Sequence, residues 1–471
     1  MYDKKSSKAE EFICHEEILQ SLDYAKQNAD NIEYLDSILK KAANFDGLSH
    51  REAITLLESD NKDINNKIFE LAYQIKQKFY GNRIVMFAPL YLSNYCVNGC
   101  LYCPYHLKNK CIPRKKLQGE SLMREVVALQ DMGHKRLAIE AGEHPTINPI
   151  EYILDCINTI YSINHKNGAI RRVNVNIAAT SVENYKKLKD AKIGTYILFQ
   201  ETYNKENYQR LHPTGPKSNY EYHTEAMDRA MQGGIDDVGI GVLFGLDSYK
   251  YELVGLLMHK EHLEEVFGVG PHTISLPRMR PADDIDINDF KGGLTDEKFE
   301  KLVAILRIAV PYTGLIISTR EQVDVRKRLL EVGVTQLSGG SKTSVGGYSE
   351  KETGGDSSQF EIADNRTLDE VVYWLLSLGY IPSFCTACYR EGRTGDRFMR
   401  LVKSGAIANV CAPNALLTLA EYLHDYAADN TKKLGFSVIE KEIENIKNDK
   451  VKELVKSNLA NIAQGKRDFR L

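Results

Sequence analysis

The chain has 471 residues, 43% hydrophobic and 27% charged, ordinary globular values in a chain too long for one small domain. Lys and Arg number 61 against 64 Asp and Glu, a net charge of −3, so the balance argues for neither a nucleic-acid surface nor an anionic membrane. No apolar run approaches the ~20 residues of a membrane span, and Met1–Ser7 leads into Lys/Glu-rich helix with no signal-peptide core, so the expectation is a cytoplasmic protein.

Residues 1–82 read as a helical segment. Ser49-His50-Arg51-Glu52 is a capping-box pattern, and Ile64, Ile68, Leu71, Ala72, Ile75 and Phe79 form a helical stripe. No chemistry is evident there. From Arg83 the texture changes to apolar runs alternating with amphipathic stretches. The strand candidates are 84–90, 136–140, 173–178, 195–199, 237–243, 272–277, 315–318 and 335–337, with helical segments between them. Eight such units over residues 83–380 predict an α/β fold, a (β/α)8 TIM-type barrel. A doubly wound open sheet is disfavoured by the steady rhythm and by the lack of a glycine-rich dinucleotide turn. Residues 351–359 read as a surface loop, 367–378 as a helix, and 381–471 as a mostly helical, cluster-binding extension.

Nine cysteines in a cytosolic-looking chain argue for metal ligation rather than disulfides. Cys14 and Cys156 lie in helical patterns and read as packing residues; Cys111 reads as incidental. Cys96, Cys100 and Cys103 stand at C-x3-C-x2-C spacing just after the first strand. Thiolates are soft ligands for iron–sulfur clusters and zinc. Three are offered where a four-iron cluster or a closed zinc site needs four, which leaves one position open. The alternative is a zinc knuckle completed by Cys111 or His106. A second triad, Cys385, Cys388 and, 22 residues on, Cys411, again lacks a fourth cysteine; here the zinc reading would borrow His424.

Barrel chemistry gathers at the C-terminal ends of the strands, so the first triad belongs on that face. The helix after strand eight runs back down, so Cys385 should emerge at the opposite face, more than ~20 Å away. His272, opening strand six, would then face the second triad as an imidazole ligand, with His262 as the fallback. Arg320, ending strand seven, could clamp an amino-acid carboxylate bidentately. Arg278 competes for that job, and Asn176 and Gln200 are expected in the same cavity. The glycine-rich 338–347 stretch could approach a ligand closely but lacks P-loop order.

The first triad, with Tyr102 just before its last cysteine, resembles the signature of radical S-adenosylmethionine (SAM) enzymes. The resemblance implies a 4Fe-4S cluster whose unique iron is chelated by SAM and an electron that cleaves SAM to a 5′-deoxyadenosyl radical. Gly142-Glu143 resembles the element that holds the SAM amino group, and Arg229 could hold its carboxylate. With both triads, 140–143, 172–176, 199–203, 272–281 and 389–398, the whole chain resembles the radical SAM tyrosine lyases of iron-only (FeFe) hydrogenase maturation. This implies cleavage of L-tyrosine to p-cresol and dehydroglycine, then carbon monoxide and cyanide for the H-cluster. It also implies an auxiliary 4Fe-4S cluster carrying an extra iron, held partly by His272 and a cysteine ligand. A reductant such as ferredoxin or flavodoxin and other maturation proteins are the implied partners. Two rivals stand: a 2-iminoacetate (dehydroglycine) synthase of thiazole biosynthesis, a relative without the second triad, and a non-catalytic iron–sulfur carrier or scaffold.

Overall fold

The computed structural model describes residues 1–290, 292–349, 357–405 and 407–471. Eight parallel strands form a closed barrel: β1 (Arg83–Ser93), β2 (Arg136–Ala141), β3 (Arg172–Asn176), β4 (Tyr196–Glu201), β5 (Val238–Val242), β6 (Thr273–Ser275), β7 (Gly314–Ile317) and β8 (Gln336–Ser338). Closure comes from β1, whose lower part pairs with β8 (Val85 opposite Gln336) and whose upper part pairs with β2 (Ala88 opposite Leu137).

β1 carries the architecture because it pairs along both edges while its outward residues are fully buried and its lumen residues line the cavities. Ile84, Met86, Ala88 and Leu90 enter the core under the helices. The alternate residues face the lumen, with Arg83 and Val85 at the bottom and Phe87, Pro89 and Tyr91 above them. A proline inside a central strand normally costs a ladder bond. Pro89 follows the last β1–β8 pair, Phe87 with Ser338, so the missing N–H falls where that neighbour has ended.

The N-terminal residues form helices that pack on the outside of the barrel. Ser49 and Glu52 form the reciprocal capping box. The stripe Ile64, Ile68, Ala72 and Ile75 is fully buried on the helix Lys62–Tyr80, which packs against the barrel helix Asp296–Ala309. Cys14 and Cys156 are buried packing residues.

The region after the barrel does not open on a helix. After the helix Leu368–Ser377 turns at Gly379 (φ 82°), β9 (Ile381–Ser383) adds in parallel to the first residues of β1, with Ser383 level with Val85. Three residues are too few to show a strand period, so the sequence does not reveal β9. The helices Ala387–Arg390, Gly395–Lys403, Ala408–Asp425, Asp429–Glu444 and Asp449–Ala463 follow. Within the expected surface loop, residues 351–356 lie outside the described residues. Among the described residues no helix is long and apolar enough to cross a membrane.

Candidate functional site

The loop after β1 is pinned before any ligand is considered. Val97 N donates to Glu143 O (2.8 Å), Gly99 N to Thr214 O (3.0 Å) and Leu101 N to Leu211 O (3.0 Å). Arg114 donates to the carbonyls of Asn94, Tyr105, His106 and Asn109, a fork that staples the loop from behind. Gly142 is required by close approach, since a Cβ there would lie 2.4 Å from Tyr95 O. Cys96, Cys100 and Cys103 thereby face a cavity of about 150 Å³ together with Glu140, Glu143 and Lys217.

Glu143 accepts from Asn98 Nδ2 (2.7 Å), and burial raises its carboxyl above the usual range. Tyr102 is buried in the cavity wall with its hydroxyl bonded to His212 Nε2 (2.7 Å), so it seals the loop against the residues after β4. Burial pushes the Cys103 thiol up to about 11. A thiolate there needs a cationic centre beside it. A four-iron cluster binds each cysteine to a different iron, and three thiolates around one cavity are a donor set that fits such a cluster at each triad.

Arg320 reaches the lumen as expected, lining the upper cavity and a second one of about 90 Å³ beneath it. Its guanidinium stacks 3.4 Å from the Phe360 ring, leaving its N–H groups unbonded among the described residues. Asn176 lines the same space and donates to Glu140 Oε2 (3.2 Å). Sequence reasoning missed Glu140. It is the next-to-last residue of β2, lines both cavities, and burial lifts its carboxyl to about 7. Its signal was present in the alternation of β2, where Ala138 and Glu140 share the lumen face. Lys217, ion-paired with Glu201 at 2.7 Å, was also missed, because it lies on a single 3-10 turn, Pro216–Ser218, too short to show a period.

Three expectations fail for a common reason: the side chain already has protein partners. Arg278 donates to Glu321 (Nε–Oε1, 3.0 Å) and pairs with Asp296 (2.8 Å), which turns it away from both lumen cavities. Arg229 is engaged by the carbonyls of Thr180 and Tyr222 and stacks on the Tyr222 ring, off the upper cavity. Gln200 is buried outside the lumen and donates to Thr224 Oγ1 (2.9 Å). Its neighbours Phe199 and Glu201 line the cavity instead.

At the floor, Cys385, Cys388 and Cys411 line a third cavity of about 80 Å³ with Arg83, Arg136 and His272. Arg136 donates to Cys385 O (2.7 Å) and ties the turn to β2. The hydrogen bond from the Cys388 thiol, helped by Arg83 and Arg393, lowers the Cys411 thiol to about 6. Burial lowers His272 to about 4, leaving a neutral imidazole, the ligating form. His262 is far from this floor, stacked on Phe12 and bonded to Asp228 and the Lys4 carbonyl. His424 lies thirteen residues beyond Cys411 on the helix Ala408–Asp425, roughly 20 Å along its axis, and cannot complete the triad.

The middle cavity shares Tyr91, Glu140, Asn176 and Arg320 with the upper one and Gln336 with the lower one. The three therefore stack along the barrel axis. Ser383 is level with Val85 while the upper triad follows Ser93, so at ~3.3 Å per residue and a tilt near ~36° the ends lie roughly 20 Å apart.

Residues 90–257 match the radical SAM superfamily, which implies a 4Fe-4S cluster and SAM at the upper triad, and 275–381 match the biotin and thiamin synthesis associated domain. Both matches stop short of Cys385. A crystal structure of HydG, a maturase of the [FeFe]-hydrogenase, is 53% identical, covers 98% of this chain and all of its own, and superposes with a TM-score of 0.95. HydG from Carboxydothermus hydrogenoformans is 38% identical, with 96% and 99% coverage and a TM-score of 0.84. The 2-iminoacetate synthase of Salmonella typhimurium is 28% identical over 73% of this chain and 89% of its own.

Proposed function

From the premise that this chain belongs to the HydG family of [FeFe]-hydrogenase maturases, we propose that it is a tyrosine lyase that works at both ends of its barrel. L-Tyrosine would be cleaved at Cα–Cβ to p-cresol and dehydroglycine, and dehydroglycine would yield carbon monoxide, hydrogen cyanide and water. The observation that carries this reading is the axial stack of cavities joining two cysteine triads. A 2-iminoacetate synthase has use for the upper triad alone, and a small electron carrier needs neither a barrel nor open sites.

When bound at Cys96, Cys100 and Cys103, the cluster would supply the electron that cleaves SAM and so the radical that removes hydrogen from tyrosine. The Glu143 carboxylate and the Gly142 carbonyl would accept from the SAM ammonium. The unbonded Arg320 guanidinium would take the substrate carboxylate in a two-point contact, oriented by its stacking on Phe360. Glu140, poised near neutral pH and steadied by Asn176, would exchange a proton with the substrate in the same cavity. The lumen below offers Asn174, Ser275, Ser318 and Gln336, polar but uncharged, as a path for small products. At the floor the auxiliary cluster on Cys385, Cys388 and Cys411 would present a ferrous cargo, held by His272 and a cysteine ligand, that collects carbon monoxide and cyanide. A cytoplasmic setting, a ferredoxin or flavodoxin donor and other maturation proteins belong to the same reading.

The test is anaerobic reconstitution with iron and sulfide, then assay with SAM, dithionite and L-tyrosine, quantifying p-cresol, cyanide and carbon monoxide together. All three are expected. Cresol without carbon monoxide would favour the 2-iminoacetate synthase, and SAM cleavage without cresol would remove tyrosine as the substrate.

A further inference from the structure

The barrel floor holds two buried polar groups that face each other without completing a bond. Among the described residues His272 Nδ1 has no hydrogen-bond partner, and Asp237 Oδ1 lies 3.6 Å from it. Asp237 Oδ2 is likewise buried without a well-formed hydrogen bond among the described residues, although the Tyr389 hydroxyl also interacts with this carboxylate. The side chains are only 11% and 3% exposed. They meet because they enter neighbouring strands: Asp237 immediately precedes β5, His272 immediately precedes β6, and His272 N donates to Val238 O at 2.8 Å.

The ring is held from its other sides too. Tyr389 meets it edge-on at 6.1 Å between centroids, and Phe398 packs at 4.9 Å. With Nδ1 turned to Asp237, Nε2 is the nitrogen left for the cavity that Cys385, Cys388 and Cys411 line. The other charged neighbours cannot replace the carboxylate. Arg172 is committed to Asn174 and Thr195, Arg136 to Cys385 O, and a guanidinium offers no acceptor to an imidazole N–H. Asp237 Oδ1 also accepts from Gly395 N (3.0 Å), so one carboxylate touches both the histidine and the region that carries the second triad.

We propose that Asp237 is the positioning residue for His272, keeping hydrogen on Nδ1 so that Nε2 offers its lone pair to a ferrous ion at the second triad. The inference rests on the reading of His272 as an iron ligand. Carboxylates that orient metal-bound histidines in this way typically affect affinity 10- to 100-fold.

The test uses the full chain reconstituted with iron and sulfide, then titrated anaerobically with ferrous ammonium sulfate and L-cysteine. Iron beyond that of the two clusters is counted, and the imidazole nitrogen coupling is read by pulsed EPR. Asp237→Ala is expected to weaken binding of the extra ion roughly 10- to 100-fold and to alter the nitrogen coupling, with cluster iron retained. Asp237→Asn, which keeps an acceptor for Gly395, should fall between Ala and wild type. Wild-type affinity and coupling in both variants would overturn the proposal. So would loss of the second cluster's iron in step with the extra ion, which would mark Asp237 as a structural anchor alone. His272→Ala runs in parallel: if it keeps the ion, the ligand reading itself fails, whatever Asp237 does.

Discussion

The upper triad is gathered by one loop, Cys96 to Cys103, leaving one strand, whereas the lower triad draws on a turn after β9, the short helix Ala387–Arg390 and the start of the helix Ala408–Asp425. The difference is one of where order comes from. The upper thiols share one loop, which Arg114 staples from just downstream while Glu143, Thr214 and Leu211 pin it from afar, so the ligand spacing is local even though part of the anchoring is not. The lower thiols meet only because β9 pairs with Arg83–Val85 and the long helix docks beside it. A local site should fail alone; an assembled site should depend on the packing around it.

The two ends of the barrel separate most clearly at the cysteines. Cys100→Ala should reduce SAM cleavage, p-cresol, cyanide and carbon monoxide all to background in the reconstituted assay. The paired change Cys385→Ala with Cys388→Ala should keep p-cresol within about twofold of wild type while carbon monoxide falls to background, charge and packing at the upper site being untouched. Equal loss of both products would show that the two ends are not separable.

A smaller effect separates the two arginines. Arg320→Ala should lower kcat/KM for tyrosine by about 10- to 100-fold, the scale of a lost charge-assisted contact of ~1.5–3 kcal/mol. Arg278→Ala should leave KM within about twofold and lower Tm instead, because it leaves the buried Glu321 with only Arg280 as an arginine partner. The reverse pattern would exchange their roles.

Glu140 gives a pH-dependent signature. Its folded-state value, raised by burial from 4.5 to about 7, means that the folded chain holds this proton more tightly than the unfolded chain. Its contribution to stability is therefore fully present below 4.5 and is lost as pH rises through about 7. Chemical denaturation of Glu140→Gln against wild type should show a stability difference that changes over that window and is flat above it; a constant difference would mean that the carboxyl is not titrating there. The smallest effect is none at all: His424→Ala should leave the iron content of the second cluster unchanged, and a loss would contradict its distance from Cys411 along the helix.

Much of the barrel was legible in sequence because strands with apolar residues on both faces write long apolar runs, as in β1, and because helices between them repeat at 3.6 residues. Arg320 and Asn176 could be read as lumen residues from their places at strand ends. Arg278 follows a strand in the same way and Arg229 lies on the helix before β5; neither could be told apart from a ligand-binding arginine, since Glu321, Asp296 and the Thr180 carbonyl are remote in the chain. Gln200 was misplaced by one residue of strand phase, in a strand whose register shifts between Phe199 and Glu201.

By itself, then, the sequence determined the fold class, the upper triad and the existence of a second set of thiols, because ligand spacing and hydrophobic period are local quantities. Only the tertiary structure decided which arginine remains unbonded in the lumen, that His272 and not His262 or His424 stands beside the lower cysteines, and that Asp237 faces it. Those outcomes depend on which distant groups compete for the same donors and acceptors, and that competition is resolved only when the strands close into a ring.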